Sequence, residues 1–119
     1  MSTSDAMAQV PIVVAVTGHR DIPVEDYAVL SMAVSEQMRE ISQSYPNSPC
    51  LLLSGLAEGA DRLVANCALI QGWKLAAILP MAQESYESDF SDDDSIQDFR
   101  GLLARAVWVR EIGMTTRPD

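Results

Sequence analysis

The sequence predicts an α/β domain built on a mainly parallel sheet of about four strands. Three observations predict it. Short apolar runs recur at Val10–Val16, Cys50–Leu53 and Lys74–Leu79, and each is followed at once by a turn or breaker, Thr17-Gly18, Ser54-Gly55 and Pro80. Between these runs the apolar positions change to steps of three and four, the period of a helix face. The resulting order of strand, helix, strand, helix, strand, helix, strand is that of a sheet whose parallel strands are joined by crossover helices. With 119 residues the chain is expected to be one domain, 1–119, with a flexible N-terminus over 1–9 and a C-terminal tail over 111–119.

Each element has its own reason. Val10–Val16 (Val-Pro-Ile-Val-Val-Ala-Val) is continuous and β-branched, which predicts a strand covered on both faces and hence a three-layer sandwich. Tyr27, Leu30, Val34, Met38, Ile41 and Tyr45 mark one face of a long helix, with Pro23 near its start and Pro46-Asn47-Ser48-Pro49 stopping it. Cys50–Leu53 is the second strand. Glu58–Gln71 is expected as a helix with Leu63, Val64, Cys67 and Ile70 inward, closed by Gly72, and with Glu58 and Asp61 in its first turn, where carboxylates suit the helix dipole. Lys74–Leu79 is the third strand. An acidic loop over 84–98 follows, then a helix marked by Ile96, Phe99, Leu102 and Leu103, and a fourth strand at Ala106–Val109. Met32, Met38, Trp73 and Trp108 are expected in or near the core.

Charge narrows the function. The chain has 17 acids against 8 bases, a formal charge of −9. Seven of those acids (Glu84, Glu87, Asp89, Asp92, Asp93, Asp94, Asp98) fall in one stretch without a base, so the remainder is close to neutral. Coating a phosphate backbone needs a clustered basic face, and none is visible, which argues against nucleic-acid binding of that kind. The first ten residues carry an Asp and no Lys or Arg, unlike a signal peptide, and the strongest apolar run, Ile12–Val16, falls far short of the roughly 20 residues of a membrane span. A cytoplasmic location without membrane attachment is expected. Cys50 and Cys67 sit within apolar stretches and are expected as buried, reduced thiols, and their spacing with a single His predicts no metal site.

Ligands of open α/β sheets bind beyond the carboxyl ends of the strands. Three segments fall there: Thr17-Gly18-His19-Arg20, the stretch from Ser54 to Arg62, and the loop after Pro80. In the second, Gly55 allows a tight exit from the strand and Gly59 leaves the helix start free of a Cβ, so that its amides can take an anion. Glu58 and Asp61 in the same stretch would instead cap those amides or receive a ribose hydroxyl; a plain strand-to-helix turn is the competing reading. Arg20 offers a fork for phosphate or carboxylate, His19 a general acid or base or a structural hydrogen bond, and Arg62 a ligand contact or a pairing with Asp61 or the acidic loop. Ser91-Asp92-Asp93-Asp94-Ser95 lacks the glycine and distal Glu of a calcium loop and is expected to cap the helix that follows. There is no Gly-x-Gly-x-x-Gly and no Walker sequence, so no dinucleotide or ATP cofactor is indicated.

Val-Thr-Gly-His-Arg, then Leu-Ser-Gly-Leu-Ala-Glu-Gly-Ala-Asp-Arg-Leu-Val-Ala, Leu-Pro and Tyr86-x-x-Asp89-Phe90 together resemble the SLOG superfamily, over roughly Ile12 to Ala106. That group includes Lonely Guy phosphoribohydrolases, the DNA-processing protein A family, molybdenum-cofactor carrier-like families and nucleotide-sensing domains of bacterial conflict systems. The resemblance implies a Rossmann-like fold and binding of a nucleotide or related phosphorylated ligand. By motif match it implies contacts from Gly18, His19, Arg20, Ser54, Gly55, Gly59, Asp61 and Arg62. Relatives usually continue through two further strands and a Gly-Gly-Thr turn, so the chain is read as a truncated member. Three functions follow as expectations. The first is a small-ligand-binding module for a nucleotide or nucleotide derivative, in a sensor or regulatory role. The second is an N-glycosidic-bond hydrolase acting on nucleotides, with Glu58, Asp61 or His19 as acid or base. The third is a non-catalytic oligomeric adaptor that retains the fold, since a short sheet leaves an edge to be covered by a second copy or a partner chain.

Overall fold

A computed structural model describes residues 10–18 and 20–112. The order of elements is β1 (Ile12–Ala15), α1 (Val24–Ser44), β2 (Cys50–Ser54), α2 (Ala60–Ile70), β3 (Lys74–Leu79), α3 (Gln83–Glu87), α4 (Asp93–Arg105) and β4 (Trp108–Glu111). The four strands form one all-parallel sheet in the order β1-β2-β3-β4, with Ile12 opposite Cys50, Leu52 opposite Leu75 and Ala76 opposite Trp108. This is the expected α/β, Rossmann-like architecture with a parallel sheet of four strands.

The core is a single cluster on one face of that sheet. Leu52, Leu75, Ala77 and Leu79 are wholly buried there, and Ile12, Val14 and Val16 pack at its margin. Met38 of α1, Leu63, Cys67 and Ala68 of α2, and Phe99 and Leu102 of α4 close the cluster from above. A parallel sheet with strands in chain order places right-handed crossovers on the same side, which accounts for this arrangement. Residues of the opposite parity, Val13, Ala15, Leu51, Leu53, Ile78, Trp108 and Arg110, point to the other face. Val13 is 52% exposed and Trp108 43%. Of the three layers of a sandwich, the described residues supply the sheet and one helical layer.

Several local expectations are corrected. The 21 residues of α1 extend about 31 Å, whereas the four of β1 reach about 13 Å, so only the middle of the helix meets the core. Val34, Met38 and Ile41 are covered, while Tyr27, Leu30 and Tyr45 are exposed and Met32 is 73% exposed. In α2 the inward Ile70 is instead exposed, because Trp73, after the turn at Gly72 (φ +86), fills the core there and donates from Nε1 to Ser42 Oγ at 3.0 Å. Trp108 is on the open face rather than in the core. The fourth strand lies two residues later than expected, anchored by Val107 N to Leu75 O at 2.7 Å. The acidic stretch is not one loop. Its start forms α3, and Asp92 caps α4 as anticipated, accepting from Ser95 N at 2.9 Å. Both cysteines are buried and free. No helix among the described residues is long and apolar enough to cross a membrane. The expected flexible terminus (1–9) and all of the C-terminal tail after Ile112 lie outside the described residues.

Candidate functional site

The carboxyl ends of β1, β2 and β3 lie side by side, and their three loops converge. After β1, Gly18 runs so close to the start of α2 that a Cβ on it would stand 2.6 Å from the Cβ of Ala60. A side chain at position 18 would push the first loop off the helix. After β2, Ser54 is buried and its Oγ accepts from Leu56 N at 3.0 Å, which tightens the exit from the strand. Leu56 takes a left-handed conformation (φ 58) that non-glycine residues rarely adopt, and its fully buried side chain offsets that strain. Gly59 (φ 91, ψ −129) is the N-cap residue of α2 and offers no side chain to the first amides of the helix.

Two carboxylates in this turn have opposite surroundings. Glu58 lies outside the helix rather than in its first turn. Its Oε1 accepts from Arg20 Nη2 at 2.9 Å, and its Oε2 accepts from the backbone N and the hydroxyl of Ser91, each at 2.8 Å, and from the hydroxyl of Ser95. Burial alone would raise its pKa. The bonds from Ser91, Ser95 and Arg20 outweigh that and hold the carboxyl at about 2. Asp61 instead has one weak donor, Ala57 N at 3.4 Å, and burial pushes its carboxyl above the ordinary range. Asp61 faces the strand exit: its Oδ2 and the hydroxyl of Tyr86 both come within 3.8 Å of where a Cβ on Gly55 would be. Tyr86 donates to Gly55 O at 2.9 Å, and burial followed by the Asp61 charge raises its hydroxyl pKa.

Arg62 turns inward. Its Nε donates to Leu56 O at 3.0 Å and its Nη1 to the carbonyl and hydroxyl oxygens of Ser95, both at 2.9 Å, while its guanidinium stacks 4.5 Å from the centre of the Phe90 ring. Nη2 is buried without a partner among the described residues. Burial pushes this guanidinium's pKa down, against Glu58 and Asp98. Of the two pairings the sequence suggested for Arg62, the structure shows the one with the acidic segment, through Ser95 rather than a carboxylate.

Of the residues singled out in the sequence, Gly18, Arg20, Ser54, Gly55, Gly59, Asp61 and Arg62 therefore gather at one end of the sheet, with Glu58 tying the first loop to the segment after β3. His19 lies outside the described residues. Three of the seven, Arg20, Gly59 and Arg62, open onto a cavity of about 640 Å³ that continues between α2 and α4. The sequence brings out Tyr86 only within a motif and Ser91 and Ser95 only within the acidic stretch, and gives no sign that they bond to the turn across 31 to 37 residues of chain. Nothing local marks a serine as the partner of a distant carboxylate. Among the described residues there is no group of three or more His, Cys, Asp or Glu side chains placed to hold a metal ion. No protein-family model matches the chain, and no curated protein matches it.

Proposed function

We propose that this domain is a small-ligand-binding module that takes a nucleotide or nucleotide derivative in a sensor or regulatory role, as its SLOG-like motifs imply. The observation that carries the reading is the meeting of Gly18 and Arg20 with the uncapped start of α2, at the mouth of a cavity of about 640 Å³. Helix amides with no side-chain cap and a guanidinium beside them are donors suited to a phosphate. Arg20 is more than half exposed and holds Glu58 through a single donor, so a phosphate can compete for it. Calorimetry and thermal shift against a panel of nucleotides test the reading. Binding that weakens in Arg20→Ala and Asp61→Ala supports it, and no binding above background, or binding indifferent to both changes, removes it.

Asp61 favours a second reading. Burial raises the pKa of its carboxyl, the direction that suits a general acid, and hydrolysis of an N-glycosidic bond requires such an acid. Glu58, with both oxygens engaged and its pKa at about 2, is poorly suited to that task. Chromatography of nucleoside monophosphates incubated with the protein tests this, and no release of base under varied conditions ends it. The sheet face that no described residue covers supports a third inference, that the domain works against a second copy or a partner chain.

A further inference from the structure

The cavity does not stop at the strand ends. From Arg20 and Gly59 it runs down the outer side of α2 to Asn66 and along α4 from Gln97 to Arg105. A rise of seven residue steps from Gly59 to Asn66 and of eight from Gln97 to Arg105 makes it about 10–12 Å long. An arginine stands at each end, Arg20, which is paired with Glu58, and Arg105, although the chain carries a net charge of −9. Arg105, in the last turn of α4, has no carboxylate partner among the described residues.

The floor has a second unusual feature. Gly101 sits in the interior of α4 and lines the cavity, and a Cβ added to it would meet no atom within 4 Å. Glycine is a poor residue for a helix interior, and here no neighbour among the described residues requires it. A ligand lying across α4 at this point would. Between the ends, Asn66, Gln97 and Asp98 offer amides and a carboxylate to ribose hydroxyls or base edges, and Tyr27 an aromatic face.

We infer that this groove holds an elongate ligand with an anionic group at each end, one at Arg20 and the start of α2, the other at Arg105, passing over Gly101. The inference rests on the nucleotide-binding reading and extends it to a ligand class, a linear dinucleotide or comparable doubly charged phosphate ester. Adenosine 5′-monophosphate and the dinucleotide pApAp, phosphorylated at both ends, are the probes, titrated calorimetrically into the full chain. The dinucleotide is expected to bind at least tenfold more tightly than the monophosphate. Arg105→Ala is expected to bring the two affinities together without weakening the monophosphate, and Arg105→Lys to keep part of the difference. Gly101→Leu, which fills the groove at a position that is open in the protein, is expected to abolish the preference while leaving the thermal midpoint unchanged or higher. Equal affinities in the wild-type chain, or a preference that survives both Arg105→Ala and Gly101→Leu, overturn the inference. In either case monophosphate binding that depends on Arg20 leaves the simpler reading standing, whereas absence of any nucleotide binding removes both.

Discussion

Arg62 and Ser95, 33 residues apart in the chain, are joined twice: Nη1 of the arginine donates to the serine's carbonyl and to its hydroxyl, each at 2.9 Å. Through Nε the same guanidinium holds Leu56 O at 3.0 Å, so one side chain fastens the turn after β2 to the start of α4. Both residues are 9% exposed, and the ring of Phe90 covers the guanidinium. Replacing Arg62 with Met keeps the bulk but leaves two buried carbonyls and a hydroxyl short of a donor. A loss of about 3 kcal/mol in unfolding free energy is expected. Arg62→Lys recovers little, because an ammonium cannot serve three acceptors spread over two segments in this fork geometry. Urea denaturation of the two variants checks this; a loss below about 1 kcal/mol in both would mean the clamp is dispensable.

The two carboxyls of the turn predict opposite pH behaviour. Glu58 titrates at about 2 when folded and near its ordinary 4.5 when unfolded. Between those values the unfolded chain binds the proton and the folded one does not, so stability rises with pH. The contribution is fully present above pH 4.5 and is lost as pH falls toward 2. Solvent screens this site and its partner Arg20 is more than half exposed, so the contribution is on the order of 1 kcal/mol. Asp61 has the reverse sign: its raised pKa gives stability that is present at low pH and lost as pH rises through the folded value. Glu58→Gln should therefore flatten the acid limb of a stability-versus-pH curve. Asp61→Asn, which keeps an acceptor for Ala57 N, should stabilise the chain at neutral pH. Denaturation midpoints from pH 2 to 8 separate the two, and an unchanged acid limb in Glu58→Gln would count against the assigned hydrogen bonds.

The ends of the strands were readable because turn chemistry is local. Ser54-Gly55 and Thr17-Gly18 follow apolar runs, and they stand where the sheet stops in the structure. Layering was not readable in the same way. Val13 and Val14 are neighbours of like character, yet Val14 packs on the core and Val13 is 52% exposed, because the difference depends on which side the crossovers fall. Ile70 and Tyr45 fit helix faces in sequence, but each stands at a helix end where the core stops beneath it. Glu58 is expected from sequence in the first turn of a helix over Glu58–Gln71, whereas the helix begins at Ala60 and the partners of Glu58, Ser91 and Ser95, arrive from farther along the chain. The groove beyond Arg20 could not be read at all, since Asn66, Gly101 and Arg105 come together only when α2 and α4 are laid side by side.

Gly18 and Ala60 make a closer approach than any side chain would allow. A Cβ on Gly18 would meet the Cβ of Ala60 at 2.6 Å, and neither atom can rotate away, since both are fixed to backbone. Gly18→Ala is expected to cost about 1–3 kcal/mol and to displace the first loop from the start of α2. Ala60→Gly alone costs less, and in the double variant it should restore part of what Gly18→Ala removes, a positive coupling that a double-mutant cycle measures. Strict additivity of the two changes would show that the loop relaxes freely and that the contact does not position Arg20.

The face of the sheet left open by the described residues leads to the last prediction. Ile12 N donates to Pro49 O at 2.8 Å and Val16 N to Leu53 O at 3.3 Å, so even-numbered residues of β1 bond to β2. The N–H and C=O groups of Val13 and Ala15 then point away from the sheet, with no strand beside them among the described residues. Parallel sheets are almost always covered on both faces, and this one presents Val13, Leu51, Leu53, Ile78 and Trp108 with only Lys74 and Arg110 as charges. If a second copy covers it, sedimentation of the purified chain will show a mass above the monomer, and Val13→Glu will return it to the monomer without loss of fold, since position 13 bears on no part of the core. Trp108 reports the same event: its emission should shift to the red as the assembly is diluted, against a constant contribution from Trp73, which is 5% exposed within the domain. A monomer at high concentration with concentration-independent emission would show that copies of this chain do not cover the face, and would direct the search to a different partner chain.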